Sequence, residues 1–484
     1  MAVISNIYRA LTEFLVCAPK RWGEVMFKFL GGIHPNDGKR LAMDSAIEQM
    51  PIPKTLVVPM GQHIGAPCTP CVKPGDTVKK GQLIGTSEAF MHADIHSPTS
   101  GTVKKVAPMP HSGMGSCMAV VIESDGEDTW ADGLPLSRDW QQMDPDEILS
   151  AIQKAGIVGM GGATFPAHIK LKPAKPVDVL ILNGAECEPY LTADYRLMLE
   201  EPEKIVTGTE ILKKLLSVKN AYIGIEDNKP EAIKKMKEAV KGHDGIEVAA
   251  LRTKYPQGAE KMLIKSITDR EVPTGGLPMD VGAVVQNVGT VAAITDAVTK
   301  GIPLIERITT VSGDAVKSPK NIRAKIGTTY REMIAFAGGF KEDPSKLLAG
   351  GPMMGMAQST LDVPVMKGSS GILGLTKKLT EHPDERACIR CGRCVRACPM
   401  QLIPSMLSIL SERRDFDKAR IDYGLMNCVE CGCCTYVCPA KRNIVHYIKN
   451  AKAVCKAEMV KAKAKAKAKA EAEAAKQEGK EAAK

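Results

Sequence analysis

The sequence predicts a multidomain α/β protein with four domains in succession: a barrel-sandwich domain, a Rossmann-like α/β domain, a small β-grasp domain and a cysteine-rich domain. A chain of 484 residues is longer than one hydrophobic core normally supports. Over residues 140–300, short apolar runs alternate with helical stretches, which is typical of an open parallel sheet. Eight of the 15 cysteines lie in two tight runs near the C-terminus. That clustering indicates a metal-binding domain in a reducing compartment and not a disulfide framework.

The composition excludes several classes of protein. Hydrophobic residues make up 44% and charged residues 25%, which is a soluble globular profile. No uninterrupted apolar stretch reaches the roughly 18 residues that a membrane span needs. The net charge is +10, but residues 451–484 alone hold ten lysines against five glutamates. The rest is only mildly basic and lacks aromatic residues interleaved with basic ones, so we expect no nucleic-acid partner.

The two ends of the chain are predicted to lie outside the four domains. Residues 1–30 form an N-terminal extension, in which Ile4–Val16 has the pattern of an amphipathic helix. Arg9 and Glu13 interrupt its apolar positions, so it does not read as a signal peptide. This helix either docks on its own protein or lies on a membrane surface. Residues 449–484 form a Lys/Ala-rich tail, interpreted as a solvated extension or as a surface for acidic lipids.

Residues 31–135 are assigned to the barrel-sandwich domain. The stretches Val72–Ile84 and Ser97–Val103 are short β runs separated by turn residues. They resemble the fold of biotinyl and lipoyl carrier domains. Such carriers present a modifiable lysine in a hairpin, but the matching segment here, Glu88–Asp94, contains no lysine. The sequence therefore predicts a carrier-like fold without a swinging arm.

Residues 140–300 are assigned to the Rossmann-like α/β domain. Asp144 is a predicted N-cap for a helix that runs to Ala155. Val177–Leu182 and Ala221–Ile225 are short apolar or β-branched runs, as in buried parallel strands.

Residues 305–370 are assigned to the β-grasp domain, of the SLBB type. A strand is predicted at Thr309–Val311 and a helix at Thr328–Ala335, on either side of a Ser-Gly-Asp turn. The Gly350–Gly355 segment follows as a rigid loop.

Residues 375–448 are predicted to be a bacterial-type 2[4Fe-4S] ferredoxin domain. Each run has the spacing Cys-x-x-Cys-x-x-Cys-x-x-x-Cys-Pro; the members are Cys388, Cys391, Cys394 and Cys398, then Cys428, Cys431, Cys434 and Cys438. With this spacing, three cysteines surround one cluster and the fourth, expected to begin a helix, reaches the other. Cys438 is therefore assigned to the first cluster and Cys398 to the second. Structural zinc is the alternative, but two complete consecutive copies are unlike paired zinc ligands.

A second candidate site lies in the α/β domain. Residues 156–170 include a glycine-dense turn, which lets backbone N–H groups approach a phosphate or ring. Polar residues follow predicted strands at Asn183–Tyr190 and Glu226–Asn228, and open a helix at Asn287–Thr290. In open α/β sheets, ligands bind outside the carboxyl ends of the strands. The alternative is that these segments are plain structural loops.

These segments resemble the NADH-binding flavoprotein subunit of respiratory complex I. Residues 159–166 follow that family's Gly-Arg-Gly-Gly-Ala-Gly-Phe-Pro loop, with Met160 for the arginine and Thr164 for the last glycine. Ala185 replaces an acidic residue of the family. The resemblance implies FMN and NAD(H) as cofactors, and implies contacts at Gly159, Gly161, Gly162, Phe165, Lys170, Asn183, Glu186, Glu188, Glu226, Asn287 and Thr290.

A longer resemblance covers residues 30–440. The segments Phe29–Pro35, Gln62–Pro67, Asn183–Tyr190 and Gly350–Gly355, with both cysteine runs, resemble the C-subunit family of the Rnf electron transport complex. The resemblance implies a peripheral subunit on the cytoplasmic face of the membrane, with FMN and two [4Fe-4S] clusters. That complex couples electron transfer between ferredoxin and NAD to Na+ or H+ movement. The implied partners are NADH, membrane flavoproteins and an iron–sulfur subunit of the complex, and ferredoxin indirectly.

Two other functions stay open at this point. One is a cobalamin reductase of the microcompartment type, which has a similar order of domains. The other is a non-catalytic electron relay whose nucleotide site is inactive. No side chain is assigned as a catalytic acid or base, because hydride transfer to a flavin needs none.

Overall fold

The computed structural model describes residues 28–381 and 383–481, with side chains given up to residue 466 except for 464. The helix expected at Ile4–Val16 lies outside the described residues. Among the described residues, no helix combines the length and apolar character needed to cross a membrane.

The N-terminal domain consists of two small antiparallel sheets. The first eight strands of the chain are β1 (Ile47–Gln49), β2 (Thr55–Pro59), β3 (Thr69–Pro70), β4 (Thr77–Val78), β5 (Leu83–Thr86), β6 (Ile95–His96), β7 (Gly101–His111) and β8 (Gly115–Ser124). Their orders are β2-β8-β7-β4 and β3-β5-β6, whereas β1 belongs to another sheet. Val58, Ile84 and Ile122 are fully buried in the core of this domain. The lysine-free segment Glu88–Asp94 joins β5 to β6.

The second domain has a four-stranded sheet between layers of helices. Its elements are α1 (Pro145–Lys154), α2 (Ala167–Lys170), β9 (Val179–Asn183), α3 (Ala193–Glu200), α4 (Pro202–Leu216), β10 (Asn220–Glu226), α5 (Pro230–Ala239), β11 (Ile246–Leu251), α6 (Glu260–Thr268), β12 (Ala283–Asn287) and α7 (Val288–Lys300). The order is β11-β10-β9-β12, and all pairs are parallel.

Local sequence explains both the start of α1 and the burial of β9. The Asp144 carboxylate accepts a hydrogen bond from the Glu147 N–H, and the Asp144 N–H donates to the Glu147 carboxylate in return, so the predicted N-cap is a full capping box. Along β9, Leu180 belongs to the core on one face of the sheet and Ile181 to the core on the other. An apolar run suits a strand that is covered on both faces, as predicted.

The third domain is a six-stranded mixed sheet with one helix. Its elements are β13 (Glu306–Ser312), β14 (Lys320–Lys325), α8 (Tyr330–Phe336), β15 (Lys346–Ala349), β16 (Met356–Gln358) and β17 (Gly371–Leu375). The order is β1-β14-β13-β17-β15-β16, so β1 from the N-terminal region forms one edge. Thr329 caps α8 by accepting the Glu332 N–H, which explains why the helix begins there.

The C-terminal region is helical. Its elements are α9 (Lys377–Thr380), α10 (Arg393–Ala397), α11 (Pro404–Glu412), α12 (Phe416–Ile421), α13 (Cys433–Tyr436) and α14 (Ile444–Glu481). The expectation that the fourth cysteine of each run begins a helix was wrong. Cys398 directly follows α10 and is extended, with ψ 115°. The segment after Cys398 stays non-helical until α11 begins at Pro404.

Lys367 lies where three domains meet. It is fully buried, and its Nζ donates to the carbonyl oxygens of Asp94, at 2.5 Å, and Gly156, at 2.7 Å. Burial lowers the pKa of this amine to about 8. Its own N–H donates to Gln62, 3.0 Å away. This lysine therefore fixes the barrel-sandwich domain against the turn that precedes the glycine loop.

Candidate functional site

The glycine-dense turn is a closed loop with an open tip. The Gly159 N–H donates to the Phe165 carbonyl at 2.8 Å, and the Thr164 N–H donates back to Gly159 at 3.1 Å. Gly161 and Gly162 at the tip are exposed. Gly162 has φ +104°, and a Cβ there would meet no atom within 4 Å. The loop therefore presents bare backbone to open space, as a phosphate or flat ring requires.

Thr290 binds this loop directly, and Asn287 caps the helix that carries Thr290. The Thr290 hydroxyl accepts the Met160 N–H at 2.8 Å. Asn287 caps α7 through the N–H groups of Gly289 and Thr290, and donates from Nδ2 to Asp194 at 2.7 Å. Because these side chains bind protein atoms, their observed part is to set the position of the loop.

The carboxylates of the loop after β9 accept hydrogen bonds from backbone N–H groups of the protein itself. Glu186 accepts the N–H groups of Asp194, at 2.7 Å, and Tyr195, at 3.2 Å, which caps the start of α3. Glu188 accepts the N–H groups of Met353, at 3.1 Å, and Met354, at 2.9 Å. Burial raises the pKa of Glu188 to about 7, although these hydrogen bonds oppose the rise. Both carboxylates thus join this loop to neighbouring elements.

Glu226 lies beneath the same loop. It is 1% exposed and forms an ion pair with the equally buried Lys229 at 3.4 Å. The Lys229 Nζ also donates to the carbonyl of Ala185 at 2.7 Å. Lys39 donates to the Glu186 carbonyl at 2.8 Å, and burial lowers its pKa. The predicted cofactor contact of Glu226 is not evident, because its carboxylate faces these buried groups.

Lys170 meets an acidic residue that the sequence reasoning missed. Lys170, at the end of α2, forms an ion pair with Glu260, which opens α6. Asn183 donates from Nδ2 to the carbonyl of Gly258 at 2.8 Å, next to this pair. Polar residues that follow a strand and open a helix also mark Asn287–Thr290, and Gly258 and Glu260 follow β11 in the same way, with Glu260 opening α6. We therefore add both to the candidate site.

Cysteines from both runs meet in the C-terminal domain. One small cavity is lined by Cys398 of the first run and by Cys428, Cys431 and Cys434 of the second. Cys433 also lines this cavity, but it is not one of the predicted ligands. The thiol set is the one that the spacing assigned to the second cluster. Within the described residues, no three His, Cys, Asp or Glu side chains gather as they would around a single metal ion.

Of the remaining assigned thiols, one is exposed to solvent. Cys394 and Cys438 are buried in one apolar core, whereas Cys388 is half-buried and Cys391 is exposed. We call Cys388, Cys391, Cys394 and Cys438 the outer site, because it includes the exposed Cys391, and Cys398, Cys428, Cys431 and Cys434 the inner cysteine site.

Comparisons with protein families match every domain in the predicted order. The matching family models are the RnfC barrel sandwich hybrid domain at residues 27–127, the Nuo51 FMN-binding domain at 152–296, the SLBB domain at 308–357 and the 4Fe-4S dicluster domain at 387–442. One relative is the C subunit of the proton-translocating ferredoxin:NAD(+) oxidoreductase complex of Clostridium ljungdahlii. It is 58% identical, over 89% of this chain and 94% of that protein. This chain belongs to that C-subunit family.

Two other members of the C-subunit family are also similar to this chain over most of its length. The C subunit of the Na(+)-translocating ferredoxin:NAD(+) oxidoreductase complex of Acetobacterium woodii is 47% identical, over 88% of this chain and 96% of that protein. The C subunit of the ion-translocating oxidoreductase complex of Rhodobacter capsulatus is 45% identical, over 81% of this chain and 76% of that protein. The predicted fold class is confirmed, as are FMN and two [4Fe-4S] clusters as cofactors.

Within this member of the C-subunit family, the inner cysteine site contacts the flavin-binding domain. The Tyr255 hydroxyl donates to the Cys431 carbonyl at 2.9 Å and lies 3.5 Å from the Glu188 carboxylate. Tyr255, Cys431 and Cys433 share one apolar cluster, against which Cys187 of the loop after β9 packs. The two binding domains thus touch at the inner cysteine site.

Proposed function

We propose that this chain is the NAD-facing FMN and iron–sulfur subunit of an ion-translocating ferredoxin:NAD+ oxidoreductase complex. The contact of the inner cysteine site with the loop after β9 carries the proposal. A bound FMN exchanges hydride with NAD(H) and single electrons with iron–sulfur clusters. The chain supplies a loop of bare backbone followed by Lys170 for the cofactor, and a set of buried and half-buried thiols in contact with that domain.

The residues fall into two groups in this proposal. Those that face the cofactors are Gly159, Gly161, Gly162, Phe165, Lys170, Asn183, Gly258 and Glu260, with the eight cysteines as cluster ligands. Asn287, Thr290, Glu186, Glu188 and Glu226 support the surrounding loops through the hydrogen bonds and ion pairs described above. The expected domain limits, from the extension at 1–30 to the tail at 449–484, remain part of the proposal.

The proposed setting is the cytoplasmic face of a membrane, where the chain is a peripheral subunit. Its partners are membrane flavoproteins and an iron–sulfur subunit of the same complex, and ferredoxin exchanges electrons with it indirectly. Names of the relatives support a multi-subunit complex of this activity.

The test is the visible spectrum of the anaerobically purified full chain before and after NADH is added. We expect about eight irons and one FMN per chain, with flavin absorbance bleached by NADH. Zinc in place of iron would contradict the cluster assignment. A flavin that binds but does not respond to NADH would instead support the inactive-site relay.

Replacing Lys170 by methionine is expected to weaken FMN binding by roughly ten- to a hundredfold, the cost of one hydrogen bond to a charged group. Titration of the apoprotein with FMN, followed by flavin fluorescence, measures the change. The control is Lys172→Met, because Lys172 is exposed two residues further on. Equal affinities of the two variants would remove Lys170 from the site.

A further inference from the structure

The loop of the first cysteine run carries a concentrated positive charge. Residues 386–401 contain four arginines and no acidic residue. Arg390, Arg393 and Arg396 are all exposed, and none of them has an ion-pair partner among the described residues. Unpaired surface cations of this density attract an acidic partner over several ångströms.

Apolar side chains stand among these arginines. Ile389 is 67% exposed and Val395 is 37% exposed, on either side of the exposed Cys391. We call Ile389, Arg390, Cys391, Arg393, Val395 and Arg396 the outer surface. An apolar centre with charged neighbours is the usual composition of a small protein interface.

The second run offers no comparable surface. Cys431, Gly432, Cys433 and Cys434 are all buried. Cys431 and Cys433 pack with Tyr255 of the flavin-binding domain, and Cys434 lines the cavity of the inner cysteine site. Glu430, at the position matching Arg390, is neutralised by Lys452 at 2.6 Å. Of the two cluster sites, the outer one is therefore the one that a separate protein can approach.

We propose that the outer surface docks an acidic protein that exchanges one electron at a time with the first cluster. The proposal rests on the proposed function, which brings electrons to the inner cluster. One electron leaves the first cluster and enters the iron or flavin centre of the acidic partner; no bond forms or breaks and no proton moves. Small, charge-steered contacts suit this exchange, because the partner must leave after each electron.

The test measures NADH-driven reduction of two protein acceptors by the full chain with its cofactors bound. Rubredoxin is the acidic acceptor and cytochrome c is the basic one. The variant R390E/R393E/R396E is expected to lower kcat/KM for rubredoxin at least about tenfold at low salt, and to raise it for cytochrome c. The variant with three lysines at these positions should keep rubredoxin activity within about twofold, since the charge is kept.

The matched control reverses three other charges in the same chain. Lys234, Lys235 and Lys237 are exposed on α5 and have no ion-pair partner among the described residues. K234E/K235E/K237E changes the net charge equally and should leave both acceptors unaffected. An equal loss in this control would show a general charge effect and overturn the proposal.

Two further measurements separate the possible failures. Bleaching of the flavin by NADH should be unchanged in every variant; its absence in the unaltered chain would contradict the proposed function, not the docking surface. If the glutamate variant loses iron, the proposal is tested instead on the unaltered chain, by measuring rubredoxin reduction as a function of ionic strength. Rubredoxin reduction that does not slow as ionic strength rises would overturn the proposal.

Discussion

Replacing Cys398 by alanine is expected to remove the cluster of the second cysteine run, although Cys398 belongs to the first. Cys398 lines the same cavity as Cys428, Cys431 and Cys434. Its loss leaves three of the four assigned ligands of this site, while the outer site keeps all four of its assigned cysteines. Roughly half of the eight irons should be lost. Because the inner site is the one that contacts the flavin-binding domain, delivery of electrons from NADH to protein acceptors should stop, while NADH still bleaches the flavin.

Iron analysis and EPR spectra of the reduced variants measure this result. Cys398→Ala should lose the same signal as Cys428→Ala and keep the signal that Cys388→Ala loses. The control is Cys433→Ala: this buried thiol lies 3.9 Å from the Tyr255 carbonyl and is not an expected ligand. A shared loss in Cys398→Ala and Cys388→Ala would show that each run holds its own cluster.

Much of the fold was predictable because local signals agreed with the tertiary structure. The capping box at Asp144 and the apolar run of β9 each encode their element within a few residues. The pairing of β1 with β14 had no such signal, since it joins residues about 270 apart in the chain. The error at the fourth cysteines arose because the spacing indicates which thiols meet but not where the next helix begins: Cys398 follows α10, and α11 begins only at Pro404.

The site was predicted at the correct edge of the sheet but not in its details. A polar side chain after a strand can bind a ligand or satisfy its own loop, and the sequence does not distinguish the two. Glu186 caps a helix and Glu226 pairs with Lys229, both through contacts within the fold. Lys39 and Lys229 were missed for the same reason: a lysine is normally exposed, and only the folded structure shows these two beneath the loop.

Arg307 is expected to give the largest loss of stability. It is 4% exposed, and its guanidinium donates to the carbonyls of Ser369, Lys367 and Met160 at 3.0, 3.0 and 2.7 Å. Burial lowers its pKa to about 10, opposed by the negative charges of Asp194 and Glu186. Arg307→Met leaves three carbonyls and two acids without their cation, which costs about 3–5 kcal/mol. The melting temperature should fall by about 5–15 °C.

The same substitution tests how the glycine loop is held. Met160 belongs to that loop, so losing its carbonyl partner should also weaken FMN binding well below the melting transition. Differential scanning calorimetry and FMN titration separate the two effects. Arg331→Met is the control, since Arg331 and Asp362 form an exposed ion pair at 2.8 Å, worth at most about 1 kcal/mol. A lower melting temperature with unchanged FMN affinity would show that Arg307 stabilises the fold without positioning the loop, and that Thr290 alone is sufficient for the loop.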